Sequence, residues 1–363
     1  MSPPPSPRPG LARTAANLAV TLVIGGAGGF AASVFNLPLA FMLGSMFAVL
    51  AAALAGLPVV IPMWLRLPML AVLGVLLGST FKPDLFSVVP NWWPAFVALP
   101  FYVLIGSAVS YLWLRRKQRT DRTTAFFASP PGGMTEMIII GTGWGGDSRF
   151  ISLVHATRIL VVVTVVPFAV RLLLGVGGDA SAPRIAGNVA WPAPPDVALL
   201  VASGLAGYGL ARLMNWPAKA LLGPLAGSAV VHLAGFTADA PPQTLVAIAQ
   251  VVIGAGIGCR FAGAPIAELR RPVFEGIAIA ILILAVSAAF TALVAPHMAL
   301  PTLAVFLAFA PGGLAEMMLI ALAIDTDTAF VATLHAARII VVMVAMPLAA
   351  RRILGRPAAG GGD

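Results

Sequence analysis

Apolar residues run along this chain in windows of spanning length, separated by short polar or Pro/Gly-containing stretches. In the first half the windows lie near 15–35, 38–56, 62–80, 92–114, 123–143 and 150–174. In the second they lie near 196–214, 217–235, 242–261, 273–295, 302–324 and 327–350. A helix that crosses a bilayer needs about 20 apolar residues, and each window approaches that length. In hydrocarbon every backbone polar group needs a partner inside the protein, and an α-helix supplies those partners within itself. The pattern predicts an all-α polytopic membrane protein.

The windows come in two matching sets, the signature of internal duplication. Residues 129–140 read SPPGGMTEMIII and residues 309–320 read FAPGGLAEMMLI, a shift of 180 positions. At that shift Asp147, Phe150, His155, Arg158, Pro167 and Arg171 match Asp327, Phe330, His335, Arg338, Pro347 and Arg351. Gly74, Gly78 and Phe81 match Gly254, Gly258 and Phe261 in the same way. With one residue slipped, Gly25, Gly28, Asn36, Pro38 and Gly44 match Gly204, Gly207, Asn215, Pro217 and Gly223. The expected organisation is a disordered tail (1–14), a first membrane repeat (15–174), a Gly/Ala/Pro-containing linker (175–195), a second repeat (196–352) and a second tail (353–363).

Charge orients the repeats. The 363 residues carry a net charge of +9, yet only 10% are charged and 60% are hydrophobic. The basic residues sit in short tracts between windows, above all Arg115, Arg116, Lys117, Arg119 and Arg122. That is the pattern of cytoplasmic loops rather than of a nucleic-acid surface, so no nucleic-acid partner is expected. In the first half the loop after the third window is neutral (Lys82, Asp84) and the next is basic. In the second half the order reverses: Arg260, Arg270 and Arg271 follow the third window, and residues 295–301 hold no Lys or Arg. Equivalent loops are therefore expected on opposite sides of an inner membrane, with both termini cytoplasmic. Inversion requires an odd number of crossings per repeat, although each has six windows. The motif windows, interrupted at Pro131-Gly132-Gly133 and Pro311-Gly312-Gly313, are where a helix breaks. About ten crossings and two broken or re-entrant segments follow.

The chemistry-bearing residues are few. Of the chain's four glutamates two are the repeat-related Glu136 and Glu316, and of its four histidines two are His155 and His335. Each of these histidines lies three positions before an arginine, Arg158 or Arg338, on one helix face. Ionisable groups in hydrocarbon are costly and face a cavity or a partner. A solute or ion pathway is thus expected from Pro131, Gly132, Gly133, Glu136, His155 and Arg158 together with Pro311, Gly312, Gly313, Glu316, His335 and Arg338. The structural alternative is that Glu136 pairs with Arg158 and Glu316 with Arg338 as buried ion pairs, with each histidine simply satisfied.

Other features have plainer readings. The Gly-x-x-x-Gly spacings at 74/78 and 254/258 suit close helix packing, and Met134, Met137, Met317 and Met318 suit apolar filling. Asp147 and Asp327 start the next helix. Asn36-Leu37-Pro38 and Asn215-Trp216-Pro217 make tight turns, and Trp92 and Trp93 are interfacial anchors. His232 and His297 lack repeat partners. With a single cysteine, Cys259, there is no intrachain disulfide and no Cys-based metal site. No metal or cofactor is expected.

The doubled P-G-G-[ML]-[TA]-E-M, followed about 19 residues later by H-A-[TA]-R-I-[LI], resembles the AbrB family of bacterial membrane proteins over nearly the full chain. Members carry labels such as ammonia monooxygenase or AbrB-type regulator of gene expression. In organisation alone the chain is similar to cation–proton antiporters and anion transporters with inverted repeats and broken helices. The resemblance implies an integral membrane location and, for some members, an effect on gene expression, but no substrate.

The leading expectation is a secondary transporter or exporter of a small anionic solute, coupled to H⁺ or Na⁺. The alternative is a membrane-embedded regulator or sensor, whose effect on transcription would be indirect, since no segment outside the windows is long enough to fold as a DNA-binding module. A membrane monooxygenase needs clustered metal ligands, which the dispersed histidines do not offer, so no enzyme is expected. The partners are the lipid bilayer and a small molecule or ion. Oligomeric state is left open, a homodimer included.

Overall fold

A computed structural model describes residues 11–83, 85–116, 120–173, 190–263, 265–324 and 326–355. The expectations for most of both tails, for most of the linker and for Asp84, Lys117 and Arg119 lie outside the described residues. The first repeat forms α1 (Leu11–Val34), α2 (Ala40–Leu54), α3 (Met63–Gly78), α4 (Leu85–Val88) and α5 (Trp93–Arg115). It continues with α6 (Arg122–Ala128), α7 (Met134–Gly143) and α8 (Ser148–Leu173). The second repeat forms α9 (Pro194–Leu213), α10 (Lys219–Leu233), α11 (Gln243–Gly258) and α12 (Ile266–Val294). It ends with α13 (Thr302–Phe309), α14 (Leu314–Ala323) and α15 (Thr328–Ile353). Seven helices are long and apolar enough to cross a bilayer, and α2, α3, α10 and α14 are shorter apolar helices. No strand occurs among the described residues. The chain is an all-α polytopic membrane protein.

Small residues set how the helices meet. In each repeat the first two helices touch through glycine: a Cβ on Gly44 would run into the Gly28 carbonyl, and one on Gly207 into that of Gly223. The third helix of each repeat then packs on the second helix of the other. Gly74 and Gly78 on α3 lie against Leu221 and Leu225 of α10, where added Cβ atoms would stand 2.5 Å from the two carbonyl oxygens. Gly254 and Gly258 on α11 lie likewise against Met42 and Met46 of α2. Absent side chains let backbones approach, which is how helices gain van der Waals contact in a solvent as apolar as themselves. The Asn-x-Pro turns place Asn36, Leu39, Asn215 and Ala218 at φ between 46° and 51°. Asparagine tolerates this left-handed backbone better than most residues.

Cross-repeat contacts fix helix directions. Trp113 near the end of α5 donates Nε1–H to Glu275 near the start of α12 at 2.8 Å, and Tyr102 meets Ser287 at 3.2 Å, so these repeat-related helices run antiparallel. At one end of the bundle Arg149 pairs with Glu268 at 2.9 Å, and Arg271 donates to Thr120 Oγ1 at 2.7 Å. Arg115, Arg116, Arg122 and Arg270 belong to the same end. At the other, Arg171 donates to the Asn36 carbonyl at 2.6 Å and Thr237 to Asp196 at 2.8 Å.

Two expectations need correction. Trp92 is no interfacial anchor: it is 1% exposed and packs edge-on against Phe330 at 5.3 Å, while Trp93 is 66% exposed. The Trp92 ring points into the bundle and the Trp93 ring out of it. The fourth crossing of the second repeat also starts at Ile266 rather than near 273, putting Arg270 and Arg271 on helical turns with Glu268 at the helix start, where its negative charge suits the dipole.

The motif segments are hairpins. The Asp147 N–H, after α7, donates to Thr124 Oγ1, at the start of α6, at 2.8 Å. Midway, Gly141 lies against Phe127, and the Phe127 and Trp144 rings are 5.8 Å apart. The chain thus enters and leaves at one end of the bundle, with Pro-Gly-Gly at the turned-back tip. Thr124→Val, which keeps the shape and removes the acceptor, is expected to destabilise the protein by about 1–2 kcal/mol, read as a lower midpoint of thermal unfolding in detergent. An unchanged midpoint would show that the clasp contributes nothing. The second hairpin has Ala304 where the first has Thr124, yet it closes the same turn, Thr326 N–H to Ala321 O at 3.0 Å against Gly146 N–H to Gly141 O at 2.8 Å.

Candidate functional site

Breaking a helix inside a bilayer strands its last carbonyls. In the first hairpin three carbonyls near the tip find side-chain partners. Ser129 Oγ donates to Phe126 O at 2.8 Å, and His155 Nε2 donates to Phe127 O at 2.9 Å. Arg158 Nη1 donates to Pro130 O at 2.6 Å. Since His155 gives its Nε2 proton to a carbonyl, its Nδ1 carries the lone pair that accepts from Arg158 Nη2 at 3.0 Å. This explains the H-x-x-R spacing: one turn of α8 carries two donors that reach back to the broken end of α6.

The second hairpin solves the same problem with one change. Arg338 donates Nη1 to Ala310 O at 2.6 Å and Nη2 to Gly312 O at 2.9 Å, with Phe309 O at 3.5 Å. His335 binds Val331 O in its own helix through Nδ1 at 3.0 Å, with the Ala310 carbonyl also within its reach. The Ser287 hydroxyl of α12 stands 2.8 Å from Ile283 O and 3.1 Å from Phe309 O, and meets Tyr102.

Neither arginine pairs with a motif glutamate. The structural alternative of buried Glu136–Arg158 and Glu316–Arg338 pairs does not hold. Backbone carbonyls, nearer to each guanidinium than any carboxylate, take its donors. The glutamates instead occupy the third position of the helices that begin at Gly133 and Gly313. There a carboxylate faces free N–H groups and the positive end of the helix dipole. Glu136 is half-buried and Glu316 buried.

The two tips meet around Arg338. A Cβ on Gly132 would lie 3.6 Å from its Nε, and one on Gly133 3.4 Å from Val342, one turn further along α15. The guanidinium that holds the second tip therefore also borders the first. The tips differ in backbone: Gly133 has φ 62°, a conformation that favours glycine, whereas Gly313 has φ −73°. Pro131, Pro311 and Gly312 are buried, and Gly132 and Gly133 half-buried. Arg158 and Arg338 are 1% and 2% exposed, and their Nε–H groups have no hydrogen-bond partner.

Sequence reasoning missed four residues here. Tyr102 and Ser287 gave no sign because each stands alone in an apolar window. Arg66 and Arg260 lie within electrostatic reach of Glu316 and have no repeat partners, Val246 and Thr80 standing 180 positions away. Among the described residues no three His, Cys, Asp or Glu side chains come together to hold a metal. His232, given no role, binds the carbonyls of Ser228 and Asp239 at 2.7 and 2.8 Å and so ties down the loop after α10.

Duplicated helices, two broken hairpins tip to tip and buried guanidinium groups define a class: membrane-embedded proteins with irregular backbone gathered at a central site. Residues 41–354 match the family model described as "Transition state regulatory protein AbrB", and the chain belongs to this AbrB family. It is 29% identical over 355 residues to "Uncharacterized protein YhjN" of Bacillus subtilis (strain 168), covering 90% of each chain. It is 25% identical over 320 residues to "Putative regulator AbrB" of Escherichia coli (strain K12), covering 88% of this chain and 91% of that one.

Proposed function

We propose that this protein is a secondary transporter of a small anionic solute, coupled to H⁺ or Na⁺, with inverted repeats of five crossings and one re-entrant hairpin each. The reading puts the arginine-rich end and both termini on the cytoplasmic side of the inner membrane, with both tips at the centre. The observation that carries it is the meeting of two broken hairpins at a buried guanidinium. Non-helical backbone survives at membrane depth where it is buried or lines a cavity, and broken helices meeting between repeats recur in secondary transporters. Opposed half-helices expose dipole ends, carbonyls and a carboxylate to one solute without moving charge far through lipid.

The test is flux in proteoliposomes, with proton and sodium gradients imposed against a panel of organic anions. Gradient-dependent anion movement that is lost or uncoupled in Glu136→Gln or Glu316→Gln is the expected result. No flux with any solute in correctly inserted protein would remove the transporter reading, and unchanged flux in both variants would remove the coupling role. Cysteine labelling in 115–122 and in 295–301 tests the orientation, and labels on the same side would exclude inversion. The printed name of the Escherichia coli relative favours a second reading, a regulator. On the present proposal any such effect is secondary to movement of a signalling solute.

A further inference from the structure

The core holds more positive than negative charge. Arg158 on α8 and Arg338 on α15 are buried at the tips, Arg66 on α3 and Arg260 just beyond α11 are half-buried, and Glu316 is a buried carboxylate. Arg158 and Arg338 are committed to the broken helix ends. Arg66 and Arg260 are not. Arg66 lies across α11 at Gly256, whose Cβ would stand 4.0 Å from its Nε, and that Nε is buried with no hydrogen-bond partner. Both guanidiniums are within electrostatic reach of Glu316 and of each other, and no salt bridge closes among the three. The Glu316 carboxylate folds back on its own helix start, so tightly that a Cβ at Gly313 would run into it. Two half-buried guanidiniums thus stand near a folded-back carboxylate without closing an ion pair on it.

Unneutralised positive charge away from water is costly, and a guanidinium is satisfied best by a planar, two-oxygen acceptor. We propose that Arg66 and Arg260 bind a carboxylate anion between them, and that the anion and a proton on Glu316 bind cooperatively. The proposal rests on the transporter reading and gives it a substrate class, an organic carboxylate, and a coupling ion, H⁺. An ionised Glu316 draws on the same two guanidiniums and repels the incoming anion, and protonation removes both effects. By reciprocity the bound anion then favours the protonated acid. Of the buried titratable groups on the other helices packed against α14, His155 and Arg158 on α8 and Arg338 on α15 are held by carbonyls or by each other, and His335 is held by Val331 O. α13 contributes no titratable residue.

The test measures thermal stabilisation of the full-length protein in detergent by acetate and by succinate, against chloride at matched ionic strength, from about pH 5 to about pH 9, a range that brackets ordinary and shifted carboxyl groups. For the wild type, carboxylate affinity is expected to exceed that for chloride and to fall by up to about tenfold per pH unit where Glu316 loses its proton. Glu316→Gln, a fixed mimic of the protonated acid, is expected to bind as tightly at high pH as the wild type does at low pH. Arg66→Gln and Arg260→Gln are expected to lose the carboxylate-specific shift. Arg66→Lys, which keeps the charge but not the fork, tests the same point if a glutamine variant does not fold. Carboxylate binding no better than chloride overturns the proposal, as does a pH dependence that survives in Glu316→Gln. Either outcome leaves the transporter reading standing. Cooperative binding as described, with no flux in proteoliposomes, would instead remove transport and leave the site.

Discussion

Arg338→Ala is expected to lower the stability of the detergent-solubilised protein by about 3 kcal/mol or more, the largest loss of any single side chain in the centre. Two close hydrogen bonds from a charged donor end on Ala310 O and Gly312 O, and each such bond contributes roughly 1.5–3 kcal/mol. Their removal takes the charged donor from both carbonyls, and the tip of the second hairpin loses its anchor to α15. Arg338→Lys keeps the charge but has no fork, so it holds one carbonyl at a time and is expected to lose about half as much. Denaturant titration followed by tryptophan fluorescence measures both. An alanine variant as stable as the wild type would show that the broken backbone is held by something else. Arg158→Ala removes one carbonyl partner and the acceptor-matched donor of His155, and should fall between the two.

The second large effect is expected from a methyl-scale change. Gly254→Val puts a branched side chain where the Met42 carbonyl and the Ser45 hydroxyl already stand, so α11 and α2 must separate along a contact that joins the two repeats. A loss of about 2–4 kcal/mol is expected, because overpacking a close crossing strains backbone rather than a mobile side-chain end. Gly26→Val and Gly209→Val are the controls. A Cβ at either position meets nothing within 4 Å, and replacing a helical glycine there is expected to be neutral or stabilising by up to about 1 kcal/mol. Equal losses at 26, 209 and 254 would mean that the cost of valine does not come from the contact between α11 and α2.

Much of this architecture was legible in the order of residues because hydrocarbon imposes simple rules on length and backbone satisfaction. The windows became helices, the Pro-Gly-Gly interruptions became turned-back tips, and Asp147 and Asp327 became helix caps, each accepting from the N–H three residues on. The paired glycines became crossings. What stayed hidden depends on which face meets which neighbour. Hydropathy cannot place Phe330 against Trp92, so a core tryptophan passed for an interfacial one. The arginines of the H-x-x-R pairs looked like partners for glutamate because opposite charges suggest pairing, but the nearer stranded carbonyls hold them. Arg66 and Arg260 escaped for a different reason. A search for chemistry through the duplication sees what both copies share, and a site that binds an asymmetric solute also uses residues found in only one.

The exchange of partners between repeats, α3 on α10 and α11 on α2, has a consequence for how the chain comes to exist. During synthesis Gly74 and Gly78 leave the ribosome about 150 residues before the helix they rest against, so the first half must wait in the membrane with its contact stripe unfilled. Neither half is a module that reaches its final shape by itself. Two separately translated halves would have to find each other before either matured, and joining them in one chain turns that chance encounter into an event within one molecule.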